Sequence, residues 1–182
     1  VPELEPPNLS SVERTVFRNS VGSEFGKIMR WEAELSLGGK LGARYFSRNQ
    51  LLNDSVELYI NRTEENTDIL HEYFVPRAEL GKFIGRLQTI IPRHKGDLLN
   101  VTLRDVRKDQ DTYLRYAKTD LFAVVMFFNQ SRTPEADAAM KAMTRELIDA
   151  ALECHGTYYL PYRPHASKEQ FQRAYPNGAK FF

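Results

Sequence analysis

From residue 67 onward the apolar positions follow two clear periods. Ile69 to Val75 (ILHEYFV) is rich in β-branched and aromatic residues and stops at Pro76, which predicts a strand. Glu79 to Ile91 carries Leu80, Phe83, Ile84, Leu87, Ile90 and Ile91 at helical spacing, with Pro92 marking its end. Leu98 to Val106 alternates: Leu99, Val101 and Leu103 fall on one face of a strand and Asn100, Thr102 and Arg104 on the other. The apolar set is expected to meet helices, the polar set to meet water, a partner domain or a ligand. Leu121 to Phe128 is a continuous apolar run suited to a central strand.

Thr133-Pro134-Glu135 reads as a helix start, with a cap, a proline at the first helical position and an acid in the first turn. Ala136, Met140, Met143, Leu147, Ala151 and Cys154 continue that helix as a stripe, and Gly156 sits where a left-handed cap belongs. Thr157 to Leu160 predicts a short strand. Ser167 to Gln170 fits a capping box before a last helix holding Phe171 and Tyr175. The order is strand, helix, strand, strand, helix, strand, which predicts an α+β, ferredoxin-like split βαβ fold over residues 67–182. Its antiparallel sheet should carry two long helices on one face and leave the other free for a partner.

Residues 1–66 read differently, as a partly helical lead-in. Three prolines between Val1 and Asn8 suggest extended chain, Ser10 or Ser11 a short helix through Val16 and Phe17, and Ser23 a second helix ended by Gly38-Gly39. Val56 to Ile60 suits a short strand or a helical turn. The chain opens on Val1 and closes on Phe181-Phe182, so a fragment of a longer protein is expected.

Composition narrows the function classes. In 182 residues, 25 Lys and Arg against 24 Asp and Glu leave a net charge of +1, which weighs against a dedicated nucleic-acid binder. The lone Cys154 excludes an internal disulfide and a Cys-rich zinc site and suits a reducing, cytoplasmic setting. No apolar run approaches the ~20 residues that span a bilayer. Glycine-rich nucleotide loops, HExxH and GxSxG are absent, and the four histidines share no metal-ligand spacing, so no metal site is expected. Arg104 to Arg115 has mixed charges and reads as a solvated hairpin. Tyr158-Tyr159-Leu160-Pro161-Tyr162-Arg163-Pro164-His165 packs aromatic rings with polar tips between two prolines, fitting either a pocket wall or a rigid, half-buried surface connection.

The runs ILHEYFVPRAELGKFIGRLQ, LLNVTLRDV, DLFAVVMFFNQ and GTYYLPYRPHASKEQFQRAYP, taken in order over about residues 67 to 176, resemble a known region. It is the C-terminal substrate (cap) domain of FAD-linked oxidases of the vanillyl-alcohol oxidase type, which include aldonolactone and alditol oxidases, decaprenylphosphoryl-ribose oxidase and cytokinin dehydrogenases. The resemblance implies a flavoprotein oxidoreductase that oxidises a small hydroxylated or amine substrate by hydride transfer. FAD would be bound mainly by a domain outside this chain, making that domain of the same polypeptide its partner and leaving the isolated fragment inactive. Arg104 matches an arginine near flavin and substrate in the alditol enzymes, and Thr102 stands where they often carry an acid. Arg163-Pro164-His165 and Lys168 resemble their RPHxxK stretch, with Ala166-Ser167 in place of Trp-Gly. Gln130 lies nearest a lysine of decaprenylphosphoryl-ribose oxidase.

The resemblance thus makes Arg104, Lys168 and His165 candidate catalytic residues. Asn100, Thr102, Asn129, Gln130, Tyr159, Tyr162 and Arg163 become candidates for binding substrate. The chemistry suits them, because a cation beside a reacting oxygen stabilises the developing alkoxide and a tyrosine or histidine can relay a proton. The alternative is a non-enzymatic ferredoxin-like module that binds a ligand or protein through its open sheet face. An isolated cap would also be expected to dimerise through that face.

Overall fold

The structure is a computed structural model that describes residues 10–41, 59–61 and 63–181. The chain divides into two compact units, residues 1–62 and 63–182. The first holds α1 (Ser10–Arg18) and α2 (Glu24–Leu41). Phe17 is buried there between the edge of Tyr59, 5.3 Å away, and the Arg30 guanidinium, 4.7 Å from its centroid. Ser23 starts α2 as expected, its Oγ accepting the Gly26 N–H at 3.0 Å. Gly38-Gly39 does not end α2, which runs on to Leu41. Glycine costs a helix only about 1 kcal/mol per residue, too little to force a stop. Val1 to Asn8 lies outside the described residues, as does Val56 to Leu58 of the expected Val56–Ile60 element.

The second unit has the expected order: β1 (Asn66–Pro76), α3 (Leu80–Arg93), β2 (Asp97–Val106), β3 (Leu121–Ser131), α4 (Pro134–Glu153), β4 (Thr157–Tyr158) and α5 (Lys168–Ala174). The sheet order is β2-β3-β1-β4, antiparallel throughout, which is the ferredoxin-like arrangement. The two long helices share one face. Ile69, Tyr73 and Val75 of β1 and Val124, Met126 and Phe128 of β3 pack there with Phe83, Leu87 and Ile90 of α3 and Met143, Leu147 and Ile148 of α4. The sheet ladder therefore sends Asp68, Leu70, Glu72 and Phe74 to the outer face.

β4 stops at Tyr158 rather than Leu160, the last helix stops before Tyr175, and three further local features differ from the sequence expectation. Pro92 lies inside the last turn of α3, which continues to Arg93. Gly156 is not the left-handed residue: His155 is, at φ 57°, just as Lys95 is at φ 54° after α3. Both helices close with the same pair of bonds, Gly96 N to Ile91 O (3.0 Å) and Lys95 N to Pro92 O (3.0 Å) after α3, Gly156 N to Ala151 O (2.8 Å) and His155 N to Leu152 O (3.0 Å) after α4. Gly156 is required one position later, where a Cβ would stand 2.2 Å from the Phe74 carbonyl oxygen. The third difference is at β2. A bulge between Leu98 and Asn100 shifts its register, and Val101 and Leu103 lie on the helix side yet remain 41% and 51% exposed, because β2 is an edge strand of the sheet.

Among the described residues, no helix is long and apolar enough to cross a membrane.

Candidate functional site

The outer face is built in cross-strand rows. Arg104, Ala123 and Phe74 form one row, Thr102, Val125 and Glu72 the next, and Asn100, Phe127 and Leu70 a third. The polar alternation of β2 thus reaches the outer face as the sequence predicts. One end of that face is covered. The connection from residue 107 to 120 folds back so that Tyr116 stacks on Phe74 (centroids 4.1 Å apart, planes at 14°) and Ala117 packs over Phe74, Leu121 and Ala123. Thr157 Oγ1 donates to the Tyr116 carbonyl at 2.9 Å and holds the connection down. The expected solvated stretch from Arg104 to Arg115 is mostly exposed, and the cover begins where it ends, at Tyr116 and Ala117.

The tyrosine-rich segment continues the cover. Tyr159 meets Phe74, Tyr116 and Tyr162 with its ring at 6.3, 5.8 and 4.9 Å, and its backbone N–H donates to the Glu72 carbonyl at 2.9 Å. Tyr158 points the other way, into the helix-side core. The Tyr162 hydroxyl and the Arg104 charge both lie near enough to Glu72 to favour its ionised form.

Glu72 is the residue that the sequence reading missed. It is 9% exposed in an inner strand of the sheet. Burial raises its pKa above the ordinary carboxylate value, against the opposing pull of the Arg104 charge and the Tyr162 hydroxyl. Burial likewise raises Tyr162, helped by the Glu72 charge. The available signal was an acid in the middle of an apolar strand run, since charged residues are seldom buried without a partner.

The other candidates are dispersed. His165 is buried beneath α4 on the helix side, not beside Arg104. Its Nδ1 is 3.0 Å from Thr144 Oγ1, and because Thr144 already donates its proton to the Met140 carbonyl at 2.7 Å, His165 must be the donor through Nδ1–H. Burial, reinforced by Arg163, lowers its pKa despite Asp137. Arg145 Nε holds the His165 carbonyl at 2.8 Å, so the Arg163-Pro164-His165 segment is latched to α4. Arg163 pairs with Asp137 at 3.4 Å. Lys168 is exposed in the first turn of α5, after the Ser167/Gln170 capping box, and acts on Glu169 rather than on Glu72 or Tyr162.

Of the remaining candidates, Asn100 and Thr102 share the outer face with Arg104, their side chains 3.4 Å apart. Asn129 is also on that face and donates to Asp68 at 3.0 Å. Gln130 alternates to the helix side and is buried. Next to Glu72 in sequence, His71 points into the core, its Nδ1 3.2 Å from the Tyr73 hydroxyl. Its Nε2 is buried without a hydrogen-bond partner among the described residues. Burial, with help from His165 and Arg163, pushes its pKa down to about 3. A cavity of about 20 Å³, room for one water, is lined by residues that include His71, Glu72, Thr144, Tyr159, Tyr162 and Arg163. Among the described residues no group of three His, Cys, Asp or Glu is placed to hold a metal ion.

No protein-family model matches the chain, and no curated protein matches it. Among solved structures, a C-terminal segment of the alpha subunit of aIF2 from Pyrococcus abyssi aligns over 87% of this chain and 96% of its own length, at 11% identity and a TM-score of 0.28.

Proposed function

We propose that this chain is the substrate-covering domain of an FAD-dependent oxidoreductase, whose outer sheet face closes over the reacting centre. The observation that carries the reading is the placing of Arg104 and Glu72 in adjacent cross-strand rows of that face, with the tyrosine segment of Tyr159 and Tyr162 beside them. The motif order over residues 67 to 176 supports it. So does the chemistry of the donor set: a permanent cation and a hydroxyl suit the electron-rich edge of a flavin and the oxygen of an alcohol. FAD, when bound, supplies the hydride acceptor. The chain carries no glycine-rich phosphate loop, so the dinucleotide would be held mainly by another domain.

In this reading Arg104 stabilises negative charge on the substrate oxygen as its C–H bond breaks. Tyr116 and Tyr159 exclude water from the β4 end, which strengthens the electrostatic term. Asn100 and Thr102 offer hydrogen bonds at the other end.

The test is flavin content and turnover. The complete polypeptide encoded by the gene should purify yellow, and Arg104→Ala should keep its flavin while losing about 10²–10³-fold in kcat. A colourless polypeptide that takes up no added FAD refutes the proposal and favours a ligand- or protein-binding module.

A further inference from the structure

The two edges of the second unit's sheet are finished differently. β4 is two residues long, both of them buried, and Pro161 and Pro164 follow it. β2 is ten residues long, and among the described residues no strand pairs with its outer side. Val101 to Asp105 are exposed on both faces of that strand. Edge strands commonly carry a lysine or a proline that blocks a further strand, and β2 has neither between Asp97 and Val106. Its bulge lies at the start, between Leu98 and Asn100, and Asp105 near its end is tied to Arg77. Between these two points Val101 and Leu103 carry exposed apolar surface along the edge.

The side chains decide which strand fits there. Residues opposed across an antiparallel pair lie on the same side of the sheet, so a second β2 can meet the first only in a few registers. Centred on Arg104, the pairing sets one guanidinium against another. Centred on Leu103, it sets Val101 against Asp105, and centred on Val101 it runs Leu103 onto Leu99, inside the bulge. Centred on Thr102, Val101 meets Leu103 of the second copy and Leu103 meets its Val101, threonine meets threonine, and Arg104 meets Asn100 in both halves. The apolar pairs then fall on the helix side and the polar pairs on the outer face, with no like charges opposed.

We propose that β2 pairs antiparallel with β2 of a second copy of this chain, about a two-fold axis at Thr102 and over residues 100–104 of each copy. The proposal does not depend on the cofactor reading above. The axis is perpendicular to the sheet, so two four-stranded sheets join into one continuous sheet with the long helices of both copies on one side. Val101 and Leu103 are covered, and the outer face of each copy gains Asn100 of the other beside its Arg104. Five residues a side make a small contact, so the pair forms as concentration rises rather than permanently.

Two measurements on the 182-residue chain decide it. In sedimentation equilibrium from micromolar to millimolar concentration, the mass should rise toward twice that of one chain. Leu103→Lys breaks both apolar pairs and should weaken association about tenfold or more, with circular dichroism unchanged. Disulfide formation reads the register, whether or not that variant folds. Opposed residues of an antiparallel pair lie about 4.5–5.5 Å apart at Cα, within disulfide reach, so Thr102→Cys should cross-link to a dimer on mild oxidation. Arg104→Cys should not, because its counterpart lies four residues, ~13 Å, along the strand. Cys154 is buried and does not compete. A chain monomeric at every concentration overturns the proposal, as does an Arg104→Cys variant that cross-links as readily as Thr102→Cys. A dimer that a folded Leu103→Lys variant leaves intact also overturns it and places the contact elsewhere, as on the exposed Phe25, Ile28 and Trp31 of α2.

Discussion

Acid should destabilise the second unit through His71, and the size of the effect follows from where that ring sits. It is 4% exposed, wedged against Phe128 with centroids 5.1 Å apart, and its pKa in the fold is about 3 against 6.5 for the free side chain. The folded pKa is depressed, so between pH 6.5 and 3 the unfolded chain binds a proton that the folded chain refuses. Stability is therefore fully present above pH 6.5 and falls as pH drops through that window, by about 1.4 kcal/mol per pH unit once the unfolded histidine is protonated. From pH 6.5 to 4.5 the loss is roughly 2 kcal/mol, a sizeable share of the ~5–15 kcal/mol that holds a domain folded. Glu72 works in the opposite sense, because a carboxylate whose folded pKa is raised favours the fold as pH falls. Comparing the parent with His71→Gln cancels that contribution and those of the other groups. The assay is urea unfolding by far-UV circular dichroism across pH 7 to 4.5. Fluorescence would not serve, since the lone tryptophan, Trp31, belongs to the first unit. The parent should lose about 2 kcal/mol more than His71→Gln over this range. Parallel curves would show that the ring is not buried as a neutral group.

Two further expectations concern packing. Gly156→Ala should unfold the unit or cost several kcal/mol, because its Cβ would overlap the Phe74 carbonyl at 2.2 Å, whereas Gly85→Ala in α3, with nothing within 4 Å, should stabilise by about 0.5–1 kcal/mol in thermal denaturation. Equal melting shifts would contradict the close approach of α4 and β1. Phe74→Ala should cost about 3–5 kcal/mol and also expose the amides of residues 107–120 to hydrogen exchange, since Phe74 is the ring on which Tyr116 stacks. Unchanged exchange there would mean that the connection is held by other contacts.

The elements of the second unit were largely legible because each carries its own local signal. The Thr133 cap accepts the Ala136 N–H at 3.2 Å, and the Ser167/Gln170 box is formed as its spacing implies. Helical and alternating periods separated the helices from the strands, and their order yielded the sheet topology. The site was less legible. Alternation placed Arg104 on the polar face of its strand, but its candidacy, like those of Lys168 and His165, came from the resemblance, and Tyr159 and Tyr162 were singled out by their density. Lys168 and His165 follow them closely in sequence, yet His165 turns inward to Thr144 and Lys168 outward to solvent. Neighbourhood along the chain does not set which side of a connection a side chain takes.

Sequence alone therefore determined the α+β order, the N-terminal helix caps and the polar face of β2, because these depend on residues within a few positions of one another. Tertiary structure decided the rest. It folded residues 107–120 over Phe74, placed the left-handed turn at His155 because Gly156 had to touch β1, and set Glu72 and Arg104 in adjacent cross-strand rows of one face. Each of these joins groups far apart in the chain, and only the sheet register and the packing of its two faces bring them within reach.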